Sequence, residues 1–145
     1  MTETKKEDLK VDPDGMTPER ICELYSSLTA WGVDINGVRE RFLEDDRLYI
    51  RSLKRFADGS CLKRLDKALT DHDPASAYEA AHMIKGTTAT LNLKPLYDIV
   101  CKITRGLRQD DLSTLDEDYR QLCAAYAQLC EMICQISTDF QRRKQ

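Results

Sequence analysis

The sequence predicts an all-α protein, an antiparallel up-down four-helix bundle with additional short N-terminal helices. Three observations carry that expectation. Glycine and proline are scarce, 6 and 4 in 145 residues, while 32% of the chain is charged and 7% aromatic, a composition that suits helices better than strands. Apolar residues recur at spacings of three and four in successive segments, and no segment alternates with period two. The breaks between segments are short, which makes consecutive helices antiparallel neighbours. There is no internal repeat.

Residues 1–15 are charged and turn-prone, ending in Asp12-Pro13-Asp14-Gly15, and are expected to form a flexible tail. A bundle is expected over 16–140, followed by a flexible basic end at 141–145. Thr17-Pro18-Glu19 reads as an N-cap with proline at the first helical position. Ile21, Leu24, Tyr25 and Leu28 supply the stripe of a short, peripheral helix that Trp31-Gly32 closes. Asp34 is placed to cap a second helix reaching Phe42 and Leu43. Asp45 or Asp46 opens a third, with Leu48, Tyr49, Leu53 and Phe56 on one side. Asp58-Gly59-Ser60 then interrupts the pattern as a loop or a kink, with Ser60 as the next cap, and Leu62, Leu65, Ala68 and Leu69 follow.

Asp73 and Pro74 start the next helix as cap and first residue, and Asn92 suits the left-handed residue that ends it. Leu93-Lys94-Pro95 begins another, with Leu96, Ile99, Val100, Ile103 and Leu107 on its apolar side. After Gln109-Asp110-Asp111, a last helix is expected from about Leu112 to Phe140, built on Leu115, Tyr119, Leu122, Tyr126, Leu129, Ile133 and Ile136. The four bundle helices thus begin near 46 or 61, 74, 94 and 112, and the N-terminal ones cap or flank one end.

A formal net charge of −3 and the lack of a basic stripe argue against a nucleic-acid partner. No apolar run approaches the length that spans a bilayer, and the polar start does not read as a signal peptide. The expectation is a monomeric, cytoplasmic protein with no membrane partner. Six cysteines are present. Cys123, Cys130 and Cys134 share one helical face, yet no Cys-x-x-Cys pair or neighbouring ligand histidine completes a metal site. They are expected to pack as small hydrophobes.

The stretch of greatest chemical interest is Ala80–Leu91. On a helix, Ala77, Ala80, Ala81, Ile84, Thr88 and Leu91 share one core-facing stripe, and His82 falls about 150° from its centre. Tyr78, Lys85, Gly86 and Ala89 are its helical neighbours at spacings of three, four and seven. Glycine inside a helix costs about 1 kcal/mol against alanine, a penalty that calls for a reason such as close approach by a partner. His72, in a loop beside Asp71 and Asp73, reads as a surface residue.

His82-Met83-Ile84-Lys85-Gly86, preceded by Ala80-Ala81 and followed by Leu91, Leu93 and Leu96, resembles the signature of histidine-containing phosphotransfer (HPt) domains. A looser likeness extends over residues 33–136. The resemblance implies a phosphorelay intermediate. His82 would take a phosphoryl group from a receiver-domain aspartate and pass it to another receiver, with a hybrid sensor histidine kinase upstream. Lys85 would neutralise phosphoryl charge, and Gly86 would keep the surface low. Tyr78 and Ala89 would be contact surface. Thr104 stands, by spacing, where some members use a polar side chain on the next helix to steady the imidazole, and it joins the partner-binding set. No cofactor of its own is implied; a divalent metal such as Mg would come with the receiver. Asn92 departs from the family, which usually has glycine there, but it too tolerates a left-handed cap.

Two readings from other classes accompany this one. A helical docking or adaptor module would bind receiver-like partners without phosphotransfer. A thiol or metal protein would rest on Cys123, Cys130 and Cys134.

Overall fold

A computed structural model of the protein describes residues 16–136. Among these residues seven helices follow one another: α1 Pro18–Trp31, α2 Ile35–Arg41, α3 Asp46–Phe56, α4 Ser60–Thr70, α5 Pro74–Thr90, α6 Lys94–Gln109 and α7 Leu115–Ile136. The protein is all-helical across them, with no strand. None of these helices is long and apolar enough to cross a membrane.

Short polar side chains set most of the starts. Thr17 Oγ1 accepts from the Arg20 backbone N–H at 3.2 Å, and Pro18 takes the first helical position, where its missing N–H costs nothing. Asp34, Asp45 and Asp73 cap α2, α3 and α5 by accepting from the backbone N–H groups of Gly37, Leu48 and Ser76. Such a bond satisfies a donor that the helix itself leaves orphaned. Gly32 closes α1 at φ +122°. A side chain there would be strained, and its Cβ would sit 3.3 Å from Pro95 Cγ at the start of α6.

The break at Asp58-Gly59-Ser60 is a loop between two separate helices. The expected cap is displaced by one residue: Ser60 is the first helical residue, and Gly59, at φ +89°, occupies the cap position without a side-chain bond. Asp58 Oδ1 accepts from the Ser60 N–H at 2.8 Å. This side-chain turn satisfies the Ser60 N–H, one of the first donors that the helix itself leaves orphaned.

Helix α5 packs between α4 and α6, α6 also lies against α7, and α1 runs along α7. Tyr119 on α7 donates its hydroxyl to Asp66 Oδ1 on α4 at 2.9 Å, which brings the last helix back beside the first of this group. Tyr126 donates to the Phe56 carbonyl, and the two rings meet edge to face at 5.3 Å. One continuous core runs through these contacts, with Leu65, Ile84, Leu96, Ile103, Leu122 and Leu129 fully buried within it.

Several expectations need correction. Helix α1 is not peripheral: Leu24 and Leu28 are wholly buried, because α1 lies along α7, with Trp31 Nε1 donating to Gln128 Oε1 at 2.8 Å. Leu48 is 45% exposed, and Ile50 takes a buried place beside Tyr49, Leu53 and Phe56. Helix α2 stops at Arg41. Leu43 follows at φ +53°, and its side chain is 87% exposed. The last helix begins at Leu115, after a turn in which Leu112 stays half exposed. Its expected end at Phe140, and the tails expected at 1–15 and 141–145, lie outside the described residues. The cysteines are free thiols; Cys22 is exposed and the other five are half-buried, so they line the margin of the core rather than fill it. Burial pushes the thiols of Cys61 and Cys130 above the usual cysteine range.

Candidate functional site

The buried side of α5 is the expected one. Ala77, Ala80, Ala81, Ile84 and Thr88 are buried on the helix, and Leu91 at its end. The Thr88 hydroxyl, fully inside, donates to the Ile84 and Lys85 carbonyls, so the one hydroxyl on this face is satisfied. At the N-terminus the Ser76 hydroxyl and N–H hold the Asp73 carboxyl below the usual carboxylate range.

The C-terminus of α5 is tied to the N-terminal helices. Tyr49 on α3 donates to the Leu91 carbonyl at 2.8 Å. Arg41 Nη1 on α2 donates to the Ala89 and Thr90 carbonyls. Asn92, at φ +61° as expected for a left-handed helix end, donates from Nδ2 to the Asp34 carbonyl at 3.0 Å. The Tyr49 and Arg41 bonds take up carbonyls that a helix end otherwise leaves without partners, while the Asn92 bond ties the residue after the helix to the start of α2.

His82 faces outward from this anchored helix and is exposed. Its imidazole stacks on the Tyr78 ring one turn earlier, with centroids 5.8 Å apart and planes 18° from parallel. Arg108, near the end of α6, holds Tyr78 in turn. Its Nη2 donates to the Tyr78 hydroxyl at 3.3 Å, and its guanidinium carbon lies 5.9 Å from the ring centroid. Lys85, half-buried one turn beyond His82, forms no ion pair among the described residues. Gly86 and Ala89 are exposed further along. A Cβ on Gly86 would meet nothing within 4 Å.

Beside Gly86 opens a groove of about 660 Å³ between α3, α4 and α5, with Phe42, Phe56, Leu91, Met83 and Arg55 among its walls. Met83 is 48% exposed at its edge, where Arg64 of α4 approaches the Met83 sulfur at 3.6 Å.

The structure therefore gathers His82, Lys85, Gly86, Tyr78 and Ala89 on one outward stretch of α5. It does not bring Thr104 to that surface. Tyr78 meets Arg108, so the antiparallel register of α5 and α6 puts Thr104 level with His82. But Thr104 is 2% exposed, and its hydroxyl donates to the Cys101 carbonyl at 3.0 Å. It has neither surface to offer a partner nor a donor to offer the imidazole. Arg108, one turn beyond Thr104, was not singled out from the sequence; four-residue spacing from a position expected to face the histidine was the available signal. His72 is an exposed loop residue at φ +54° that ends α4.

Chemically, the face presents an imidazole to solvent, with a lysine side chain one turn away and a guanidinium behind the neighbouring ring. It suits a nucleophile that meets an anionic electrophile delivered by another molecule. Among the described residues, no group of three or more His, Cys, Asp or Glu side chains is placed to hold a metal ion. No family model matches this chain, and neither the curated proteins nor the solved structures yield a match to it.

Proposed function

We propose that the protein is a phosphoryl carrier of the histidine phosphotransfer kind, with α4, α5, α6 and α7 forming its antiparallel up-down four-helix bundle. The observation that carries the reading is the outward His82 on a helix whose opposite face is buried throughout, with Lys85 and Gly86 three and four residues on.

In the forward step, a ring nitrogen of neutral His82 attacks the phosphorus of a receiver's aspartyl phosphate. An N–P bond forms, the P–O bond to the aspartate breaks, and the electron pair leaves with the carboxylate. The imidazole keeps the proton on its other nitrogen. Discharge is the reverse, a carboxylate oxygen of a second receiver attacking the same phosphorus. Phosphoryl transfer asks mainly for positioning and charge neutralisation. A neutral imidazole is a competent nucleophile, and Lys85 contributes a mobile cation to the phosphoryl oxygens. The divalent metal belongs to the receiver. In this reading the protein is a monomeric cytoplasmic intermediate downstream of a hybrid sensor histidine kinase, and the enzyme is its partner.

The test is incubation with a panel of receiver domains charged with ³²P from acetyl phosphate. Wild-type protein is expected to acquire acid-labile, base-stable phosphate, and folded His82→Gln to acquire none. Label on His82→Gln would move the site elsewhere. Tight receiver binding with no label on the wild type would favour the docking module, for which the groove beside Gly86 is the supporting feature.

A further inference from the structure

The geometry points to Tyr78 and Arg108 as positioning residues for His82: the Tyr78 ring is a platform that fixes the plane of the imidazole, and Arg108 fixes the platform. The inference rests on the carrier reading for its consequence, and on the stack alone for its structural content.

An exposed histidine on a regular helix has two rotatable side-chain torsions and, by itself, no preferred ring plane. His82 makes no hydrogen bond among the described residues, and Thr104, the polar group at its level, is turned away to the Cys101 carbonyl. What limits the ring is Tyr78. The two rings are nearly parallel at 18°, with an offset that leaves the centroids 5.8 Å apart, inside the range of favourable aromatic pairs. Four-residue spacing brings the rings over one another on the helix surface.

Tyr78 is itself tethered from the next helix. Arg108 both donates to its hydroxyl at 3.3 Å and lies over its ring at 5.9 Å, a cation–π distance. The chain of contacts runs from α6 to the imidazole without touching a ring nitrogen. Both nitrogens stay open, one to attack and one to keep its proton, while the ring plane is set. A hydrogen-bonding partner would have tied up one of them. In-line attack needs the lone pair aimed at phosphorus, and rates fall steeply as aim is lost. Tyr78 thus acts through His82, and it is not mere contact surface.

The test separates the stack from the chemistry. With two histidines in the chain, the imidazole proton resonances of His82 are assigned by their loss in His82→Gln, and His72 serves as an internal reference without an aromatic contact among the described residues. In wild type and Tyr78→Phe the His82 ring protons are expected upfield of their positions in Tyr78→Leu. In Arg108→Gln they fall between, because the platform has lost its tether.

With a charged receiver, Tyr78→Leu is expected to lower the maximal transfer rate about two- to thirteenfold, the span that an aromatic pair's stabilisation converts to. The half-saturating receiver concentration stays unchanged, and Tyr78→Phe restores the rate to within about twofold. A rise in half-saturating concentration with an unchanged maximal rate would reduce Tyr78 to contact surface and overturn the inference. Coincident His82 resonances in wild type and Tyr78→Leu would overturn it whatever the transfer assay shows. Failure of wild-type protein to take phosphate from any receiver defeats the carrier reading and is read independently of the resonances.

Discussion

On the carrier reading, substitution of Gly86 is expected to move stability and transfer in opposite directions, which makes it the sharpest test of the His82 face. It lies inside α5, four residues before Thr90, the helix's last, where glycine is about 0.8–1.0 kcal/mol less favourable than alanine. Nothing in the backbone requires it, since its φ is not among the positive values. Nothing in the packing requires it either, since an added Cβ meets no atom within 4 Å. Gly86→Ala is therefore expected to stabilise the protein by close to the full propensity difference, with no clash to subtract and little burial to add. Unfolding entropy of about 2.1 cal/mol/K per residue, taken over residues 16–136, converts this to a rise in Tm of roughly 3–4 °C.

Calorimetry and urea melts of Gly86→Ala and Gly86→Leu measure that gain, and charged-receiver assays measure its consequence. Leucine is also a good helix former and should stabilise, but its side chain stands beside the Met83 edge of the groove and one turn from His82. Transfer by Gly86→Leu is expected to fall about 10- to 100-fold, the scale of an Ångström-level misplacement of reacting groups. A destabilised Gly86→Ala would mean that the glycine serves the fold. A stable Gly86→Leu that transfers at the wild-type rate would mean that no partner approaches α5 there, and the reason offered for the glycine would be gone.

Other expectations follow from the same contacts. Tyr49→Phe removes the donor to the buried Leu91 carbonyl and should cost about 1–3 kcal/mol in chemical denaturation, the penalty of an unsatisfied buried acceptor. Ile84→Ala, at a fully buried position, should cost about 2–5 kcal/mol; a smaller loss would show that α4 and α6 close over the gap. Burial raises the phenols of Tyr25, Tyr49, Tyr119 and Tyr126 above the ordinary value of 10.0. Their contribution to stability is complete below pH 10 and declines above it, where the unfolded chain ionises first. Tyrosinate absorbance from these four should therefore appear together with loss of helix in alkaline titration; ionisation well before unfolding would contradict their burial. Cys22 should react with a thiol reagent well before Cys61 and Cys130, whose thiolates burial disfavours, and equal rates would contradict the placement.

The parts of this fold legible in the sequence are those governed by local chemistry. Thr17, Asp34, Asp45 and Asp73 announce helix starts because a short acceptor before an apolar-periodic run does one local thing. Asn92 announces an end because few residues accept its backbone conformation. The buried stripe of α5 follows from 3.6-residue periodicity alone, and so does the outward placement of His82. The failures share a cause. Leu48 and Ile50 are both apolar, and whether Leu48 or Ile50 turns inward depends on where α3 meets its neighbours. Helix α1 looked peripheral because its stripe is short, but its place against α7 is a tertiary fact. Spacing gives the level of Thr104 but not its direction, since its hydroxyl follows the Cys101 carbonyl one turn back and not the histidine opposite. Only its four-residue spacing from Thr104 marks Arg108 in the sequence, because its partner, Tyr78, lies on another helix.

The same division explains why α5 needs its neighbours. Pro74–Thr90 carries Thr87, Thr88 and Thr90 as well as Gly86 in its last turns, residues whose restricted rotamers or excess backbone freedom make them weak helix formers. A C-terminal half of that composition would fray in isolation. It is held by contacts from far along the chain: Arg41 to the Ala89 and Thr90 carbonyls, Tyr49 to Leu91, and Asn92 to Asp34. The N-terminal helices thus act less as a lid on the later helices than as a clamp on the end of the helix that carries His82. If that is their role, Arg41→Gln, which shortens the reach to α5, should leave the core intact and raise amide exchange at Asn92 and Leu93, whose N–H groups bond to Ala89 and Thr88. Exchange near the Asp73 cap should stay as it was. A uniform rise along the whole of α5 would instead mean global destabilisation, and the clamp would be no more than another part of the core.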